Sequence, residues 1–363
     1  MSAQPFEDGV GYLGMEDSEY FANYDPETQK KLVAFMKNFM RVSRKVRYVQ
    51  YWLMLVGAVI IIFHLVVLTR KQMRTSATNY ILIGISVFDL FALIPRIYAF
   101  INNYVLTQIV CGEIMGYWEF VFNDILYSIF EHSRVCSSCL GIMLALIRVI
   151  TVSKIMDSRY DFISQPGFGK AVVVGVFFVN LPITLLKHFE WEVVPAEPFI
   201  VTEACAASNI TLEDHASQQR EFFVNHELFV RIYIFIDGLI TQMIPSVVFP
   251  VLTVYLVRIL QKTKKLKAQK VLVEPEHDKS ATTTKLVIVM TITYLAYTLP
   301  TGLLSWFQTF SGDIEPGIAQ LMTSYSEIHS IVFTINTIIH CFVCCGMSSQ
   351  YRDTVRGLFV RSN

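Results

Sequence analysis

The sequence has little charge. Asp, Glu, Lys and Arg make up 17% of its 363 residues, against about 25% in a typical soluble domain. The 30 basic residues balance the 30 acidic ones, which excludes a basic nucleic-acid-binding domain, so no nucleic acid is expected as a partner. Seven cysteines in a chain of this length are too few for a disulfide framework.

Motifs for catalysis are also lacking. The sequence contains no HExxH motif, no Walker loop, no nucleophile elbow and no paired-carboxylate motif. These patterns place metal ligands, phosphate-binding amides or an activated nucleophile, and their absence predicts that the protein is not an enzyme. No catalytic residue and no cofactor is therefore assigned.

Long apolar runs are abundant, because 53% of the residues are hydrophobic and they cluster. A helix of about 20 residues crosses the roughly 30 Å of hydrocarbon in a bilayer. Seven runs qualify and predict an all-α membrane protein, a seven-transmembrane helix bundle within residues 49–347. Residues 1–48 are predicted to be an extracellular tail and residues 348–363 a cytoplasmic amphipathic helix and tail. The predicted spans are residues 51–68, 80–101, 120–152, 171–186, 232–257, 286–310 and 321–347.

The basic residues of the loops predict the orientation of the chain. The 1–2, 3–4 and 5–6 loops and the tail after span 7 carry Lys or Arg, whereas the 2–3 and 6–7 loops carry neither. We therefore expect a multi-pass plasma-membrane protein with its amino terminus outside. The 4–5 loop is then extracellular and contains the glycosylation sequon at Asn209. Cys111 and Cys205 also lie on the outer side, where a disulfide between them is chemically permitted.

Several ionisable residues lie within the predicted spans, where they are costly and mark functional candidates. Asp89 lies mid-span, and Ser137 and Asn336 lie at comparable depth in spans 3 and 7. Their hard oxygen atoms suit a small cation, such as a sodium ion, together with water. Alternatively, Asp89 is a hydrogen-bonded residue that ties three helices together. Glu131 and Arg134 are three residues apart on one helix, so they are placed to pair with each other.

Three segments resemble a known family. They are residues 73–90 (MRTSATNYILIGISVFDL), 137–152 (SSCLGIMLALIRVITV) and 344–355 (CCGMSSQYRDTV). With seven spans and a basic third inner loop, the chain is similar to rhodopsin-like G-protein-coupled receptors. The three segments look like those of the nematode serpentine chemoreceptor class W, which is similar to FMRFamide-type neuropeptide receptors.

The resemblance implies roles for individual residues. Asp89 and Ser137 match the polar residues of spans 2 and 3, and Arg148 matches the arginine that meets the G protein. Pro300 matches the hinge proline of span 6. Asn336 matches the asparagine of the Asn-Pro-x-x-Tyr motif, in which His340 replaces the tyrosine.

The sequence also departs from the family pattern. Ile147 replaces the acidic residue before the span-3 arginine, which predicts a loosely restrained inactive state. Asn123 occupies the position of the usual span-3 cysteine, and Cys111 lies twelve residues earlier.

The resemblance further implies a ligand site toward the outer end of the bundle. Phe130 occupies the position where amine receptors have an aspartate, so a peptide is favoured over an amine. Acidic residues of this end could pair with basic groups of a peptide, and aromatic or polar residues could line the walls. The first group contains Asp124, Glu131 and Glu327, and the second contains Tyr98, Tyr127, Phe307 and Gln308.

The function expected from these features is that of a G-protein-coupled receptor. Its partners would be an extracellular FMRFamide-like peptide or chemosensory ligand, a heterotrimeric G protein and membrane lipid. One alternative is a seven-span ion channel or transporter that uses Asp89 and Glu131, and another is a structural or trafficking partner of other receptors. Residues 1–48 could be a ligand-recruiting tail, an amphipathic helix or solvated chain.

Overall fold

The computed structural model describes residues 17, 19–102, 117–153, 158–195, 215–270, 292–296, 298–300, 302–303 and 315–359. Most of the described chain is helical. The helices are α1 (Pro26–Leu68), α2 (Ala77–Ile101), α3 (Tyr117–Ser153), α4 (Asp161–Ser164), α5 (Pro166–Glu190), α6 (Glu221–Asn225), α7 (Glu227–Gly238), α8 (Ile244–Lys270), α9 (Pro316–Met347) and α10 (Ser349–Phe359). A 3₁₀ turn at Ser158–Tyr160 precedes α4, and a π-helical turn at Leu239–Met243 joins α7 to α8.

Six stretches of the described chain are long and apolar enough to cross a membrane. They match predicted spans 1 to 5 and span 7. Predicted span 6, residues 286–310, lies mostly outside the described residues, but residues 292–296, 298–300 and 302–303 are helical. The expected fold class, an all-α seven-transmembrane helix bundle, is confirmed. The six stretches are Pro26–Leu68, Ala77–Ile101, Tyr117–Thr151, Pro166–Glu190, Glu227–Ile259 and Pro316–Gly346.

The connection between spans 4 and 5 contains a β-hairpin. Strand β1 (Trp191–Pro195) pairs antiparallel with β2 (His215–Gln219), with Trp191 opposite Gln219 and Pro195 opposite His215. β1 continues directly from the last residue of α5, and α6 begins two residues after β2. This end of the bundle, which also holds the first turns of α1, α3 and α9, is called the hairpin end below. The opposite end is called the Arg148 end.

Helix α1 begins 25 residues before the predicted start of span 1. Residues 26–48 are therefore helical and continuous with the span. Asp25 caps the helix, because its Oδ1 accepts a hydrogen bond from the Thr28 backbone N–H at 3.1 Å. The hydrogen bonds from Thr28 also lower the pKa of Asp25. Pro26 follows at the first helical position, where its missing N–H costs no hydrogen bond.

The early part of α1 packs against the early part of α9. Residues 19–47 and 315–327 are called the α1–α9 stalk. Its small core combines Tyr20, Phe21, Val33 and Met36 with Ile318 and Leu321 of α9. A buried hydrogen bond from Ser43 Oγ to the Ser324 carbonyl, 2.7 Å long, adds a polar contact. Gly317 permits the close approach, because a Cβ there would lie 2.5 Å from the Phe21 ring.

The largest core of the bundle lies toward the Arg148 end. It joins α1, α2, α3, α9 and α10 through buried side chains such as Leu68, Ile81, Leu140, Ile147 and Tyr351. Helix α5 approaches α2 so closely that a Cβ on its Gly169 would lie 2.6 Å from the Ala77 carbonyl oxygen. This core fixes the helices that position Asp89 and Arg148.

Span 5 contains a local irregularity at its centre. The π-helical turn Leu239–Met243 ends two residues before Pro245. Proline has no backbone N–H and its ring clashes with the carbonyl four residues earlier, so a widened turn accommodates it. Helix α5, in contrast, continues through Pro182.

Candidate functional site

A cavity of about 410 Å³ occupies the Arg148 half of the bundle. Side chains of α2, α3, α8, α9 and α10 line it. On α3 the lining extends from Ser137 to Arg148, eleven residues, which corresponds to about 16 Å along a helix. The cavity therefore connects the polar middle of the bundle with the end of span 3.

Arg148 lines this cavity and has no acidic partner among the described residues. None of the ion pairs found among the described residues involves Arg148. The adjacent Ile147 is only 2% exposed and offers no charge. The guanidinium group can therefore donate hydrogen bonds to whatever enters the cavity from the Arg148 end.

Asp89 lies in the middle of the bundle, with 2% of its surface exposed. Ser137 Oγ donates a hydrogen bond of 2.5 Å to Asp89 Oδ1. His340 Nδ1 of α9 lies 3.5 Å from Asp89 Oδ2. The structure therefore joins spans 2, 3 and 7 at one carboxylate, with His340 as the neighbour on span 7.

Asn336 lines the same cavity as Ser137 and His340, but its hydrogen bond is with another span. Its Oδ1 accepts a hydrogen bond of 3.1 Å from Thr293 Oγ1 of the sixth predicted span. Among the described residues, His340 rather than Asn336 is the neighbour of Asp89 on α9. The two residues are four positions apart, one helical turn, so the contact with Asp89 has moved one turn toward the Arg148 end.

The surroundings of Asp89 fit a sodium ion only in part. Asp89 and Ser137 supply oxygen atoms, but the third neighbour supplies an imidazole nitrogen. Imidazole is a weaker ligand than carboxylate, carbonyl or water for a hard cation. Among the described residues, no group of three or more His, Cys, Asp or Glu side chains could hold a metal ion. A sodium ion at Asp89 stays a prediction.

A second buried polar contact lies near the Arg148 end. Tyr351 of α10 is 1% exposed, and its Oη lies 2.8 Å from Nδ1 of His64 in α1. Cys341 Sγ lies 3.7 Å from the same oxygen. Burial raises the pKa of the Tyr351 phenol, so the hydroxyl keeps its proton. This contact anchors the short helix α10 to spans 1 and 7.

The hairpin half of the bundle contains two ion pairs near one another. Arg134 and Glu131 of α3 pair at 2.7 Å, as their spacing predicts. Lys187 of α5 pairs with Asp237 of α7 at 2.5 Å. Glu131, Lys187 and Asp237 line one small cavity, so the two pairs form a cluster across spans 3, 4 and 5.

The other acidic candidates for ligand binding also have basic partners. Asp124 Oδ2 lies 2.8 Å from His188 Nδ1 of α5. Glu327 of α9 pairs with Arg47 of α1 at 3.0 Å. A basic ligand therefore meets carboxylates that already have a basic neighbour, and it must share the carboxylate with that neighbour or replace it.

Aromatic candidates lie nearby on α2 and α3. The Tyr98 ring contacts Phe122 edge-on, with centroids 5.1 Å apart. Tyr127 is 62% exposed. Phe130 packs edge-on against Phe333, and the Arg96 guanidinium lies 4.5 Å from the Phe130 ring centroid.

Some of the predicted site residues lie elsewhere. Pro300 lies in a helical segment of the sixth predicted span, two residues after Thr298, which accepts a hydrogen bond of 2.9 Å from Ser246 of α8. Five predicted residues lie outside the described residues: Phe307, Gln308, Cys111, Cys205 and Asn209.

Four residues that the structure places in polar contacts were not predicted from the sequence. Lys187 and Asp237 are charged residues near or within predicted spans, so their position in the sequence could have marked them as candidates. His64 is the one histidine in residues 51–68, and Tyr351 lies in an amphipathic segment. Their partners depend on the rotation of separate helices, which no local pattern reports.

Comparison with known proteins adds one finding. The family model described as "Serpentine type 7TM GPCR chemoreceptor Srw" matches residues 48–362. A search of curated proteins finds no match for the chain. The matched residues cover every predicted span and the helix α10.

Proposed function

The chain belongs to the serpentine type 7TM GPCR chemoreceptor Srw family, and on this premise we propose that it is a receptor for an extracellular ligand. It is a multi-pass membrane protein of a receptor family. In our proposal the ligand is an FMRFamide-like peptide or a small chemosensory molecule. The receptor then transmits the signal to a heterotrimeric G protein.

The feature that best supports G-protein coupling is the cavity beside Arg148. A helix that enters this cavity with its carboxyl-terminal turn would present several unsatisfied backbone carbonyls and the negative end of its dipole. Arg148 has no acidic partner among the described residues, so its donors can meet those carbonyls. An outward movement of spans 5 and 6 would widen the cavity enough to admit such a helix.

The polar network between the two ends is a candidate for the switching element. Asp89 contacts Ser137 and His340, and Asn336 contacts Thr293 of the sixth predicted span. A ligand changes the balance of two receptor states only if it binds one of them better. In our proposal the two states differ in these contacts between spans 2, 3, 6 and 7.

The pairing of the outer charges restricts the ligand. Glu131, Asp124 and Glu327 each have a basic partner at 3.0 Å or less. A basic ligand group must share its carboxylate with Arg134, His188 or Arg47 or displace that partner, whereas aromatic groups can contact exposed Tyr127 directly. We propose ligand binding at the hairpin end, with Tyr98, Phe307 and Gln308 as further candidate contacts.

The orientation in the plasma membrane is part of the proposal. The basic loops support a cytoplasmic Arg148 end, and the Asn209 sequon supports an extracellular hairpin end. Epitope tags at the two termini test this in intact cells. We expect antibody labelling of the amino-terminal tag without permeabilisation and of the carboxyl-terminal tag only after it. The reverse result would contradict the orientation.

A ligand screen with two parallel readouts tests the function. Cells that express the receptor and a promiscuous G protein are exposed to neuropeptide and chemosensory libraries, and G-protein activation and membrane current are recorded. We expect a ligand that activates the G protein. A ligand-evoked current that persists after G-protein depletion and in Arg148→Ala would instead support the channel alternative with Asp89 and Glu131.

A further inference from the structure

A strip of basic residues lies on the exposed side of α1 within the α1–α9 stalk. Lys37, Arg41, Arg44 and Lys45 follow one another at spacings of three and four residues or are adjacent, so they share one side of the helix. Like charges at these spacings repel one another and destabilise the helix unless acidic groups lie nearby. Lys37 has such a partner in Asp17, whereas Arg41 contacts the amide of Asn38. Arg44 and Lys45 have no acidic partner among the described residues.

The chain before α1 runs back along this helix. Asp25 caps the first turn, and the Tyr20 carbonyl accepts a hydrogen bond of 3.0 Å from Gln29 Nε2 one turn into the helix. Asp17 Oδ2 lies 2.6 Å from Lys37 Nζ, two turns further along. The segment that leads into α1 therefore runs antiparallel to this helix, and Asp17 lies at the beginning of the basic strip.

The sequence that precedes Asp17 is acidic. Residues 1–16 (MSAQPFEDGVGYLGME) contain Glu7, Asp8 and Glu16 and no Lys or Arg. From Lys37 to Lys45 the strip extends about 12 Å along the helix. An extended chain covers about 3.3 Å per residue, so even four residues before Asp17 reach its far end.

We propose that residues 1–16 pack along the basic strip of α1. The covalent connection at Asp17 gives the acidic segment a high effective concentration at the strip. Its carboxylates neutralise Arg41, Arg44 and Lys45 and hold the stalk together from outside. The segment then acts as a strap on the stalk, whichever ligand or partner the receptor has, so the proposal does not depend on the proposed function.

Other occupants of the strip are distinguishable. Lys45 lies six residues, or about 9 Å along the helix, before the apolar run that begins at residue 51, which makes anionic lipid headgroups a competitor. A separate acidic protein is another. We favour the chain's own segment because it is joined directly to Asp17, whose ion pair with Lys37 is observed.

Acylation of Lys45 tests the proposal. The purified full chain in phosphatidylcholine nanodiscs is treated with a small amine-reactive reagent, and labelling of Lys45 and of exposed Lys71 is followed by peptide mass spectrometry. Lys71 lies in the 1–2 loop and is the control site. We expect Lys45 to be labelled several-fold more slowly than in a chain that lacks residues 2–16, with the rate at Lys71 unchanged.

A charge-neutral variant provides the matched control. Glu7→Gln, Asp8→Asn and Glu16→Gln together keep the length of the segment and remove its charge, and they should speed the labelling of Lys45 as the deletion does. Equal labelling of Lys45 in all three chains would overturn the proposal. Protection that requires phosphatidylserine in the nanodiscs, or an added acidic protein, would overturn it in favour of that occupant.

Discussion

The two ends of the bundle differ in whether their charged side chains are paired. At the hairpin end, Glu131, Lys187 and Asp237 all lie in ion pairs of 2.7 Å or less. At the Arg148 end, Arg148 lines a cavity of about 410 Å³ without an acidic partner among the described residues. One half of the bundle is held by completed electrostatic contacts, and the other half offers a cation to a partner. The following predictions test this contrast, from the largest expected effect to the smallest.

The pair of Glu131 and Arg134 should have the largest effect on stability. Glu131→Gln removes the carboxylate from a buried guanidinium, and breaking a buried pair costs about 3–5 kcal/mol. We expect a marked decrease in the thermal unfolding temperature of the purified receptor. Glu131→Gln with Arg134→Met removes both charges and should restore much of the stability. If the double variant is no more stable than Glu131→Gln, burial of the unpaired charge is not the cause.

Removal of the contact between His64 and Tyr351 should cause the second-largest loss of stability. Tyr351→Phe leaves His64 Nδ1 without its partner at 2.8 Å, and an unsatisfied buried group costs about 1–3 kcal/mol. We expect a lower unfolding temperature and faster proteolysis of residues 349–359. Tyr255→Phe, on an exposed part of α8, is the matched control and should change neither. Equal effects of both substitutions would contradict the anchoring role of the contact.

A carboxylate at position 147 should reduce basal signalling. In Ile147→Glu the new acid lies next to Arg148, and a pair worth about 1 kcal/mol would shift the two states about fivefold toward the inactive one. Ile147→Gln has a similar shape without the charge and is the control. If basal signalling, normalised to surface expression, is equal in both variants, then the lack of an acid beside Arg148 is not what leaves the inactive state loosely restrained.

The contact between Arg47 and Glu327 should have the smallest effect. This pair of 3.0 Å is partly exposed, and such pairs contribute about 0–1 kcal/mol. We expect Arg47→Gln to lower the unfolding temperature slightly at low salt and not at high salt, because salt screens exposed charges. A large decrease in the unfolding temperature that does not depend on salt would instead show that this pair behaves as a buried pair, like Glu131 and Arg134.

The spans were predictable because hydrophobic length alone marks them. The ends of α2 at Ile101 and of α9 at Met347 coincide with the predicted ends. The early start of α1 was not predictable in the same way. Residues 26–48 carry many charges, and their helix is stabilised by a cap and by packing against α9.

The site was predictable only where its contacts are local or set by depth. Glu131 and Arg134 are on one helix, and Asp89 and Ser137 lie at similar depth in neighbouring spans. The contact of His340 with Asp89 depends on how α9 is rotated against α2, which residue spacing within α9 does not determine. The same holds for Lys187 and Asp237, which belong to separate helices.

Nucleotide exchange on a purified G protein tests the central claim most directly. The receptor in nanodiscs, with the ligand found by screening, is compared with Arg148→Ala and with Arg74→Ala, an exposed arginine near the same end of the bundle. Loss of a charge-assisted contact worth about 1.5–3 kcal/mol predicts a decrease of about 10- to 100-fold for Arg148→Ala. Arg74→Ala should remain close to the unsubstituted receptor. Ligand-stimulated exchange that is unchanged in Arg148→Ala would contradict the account.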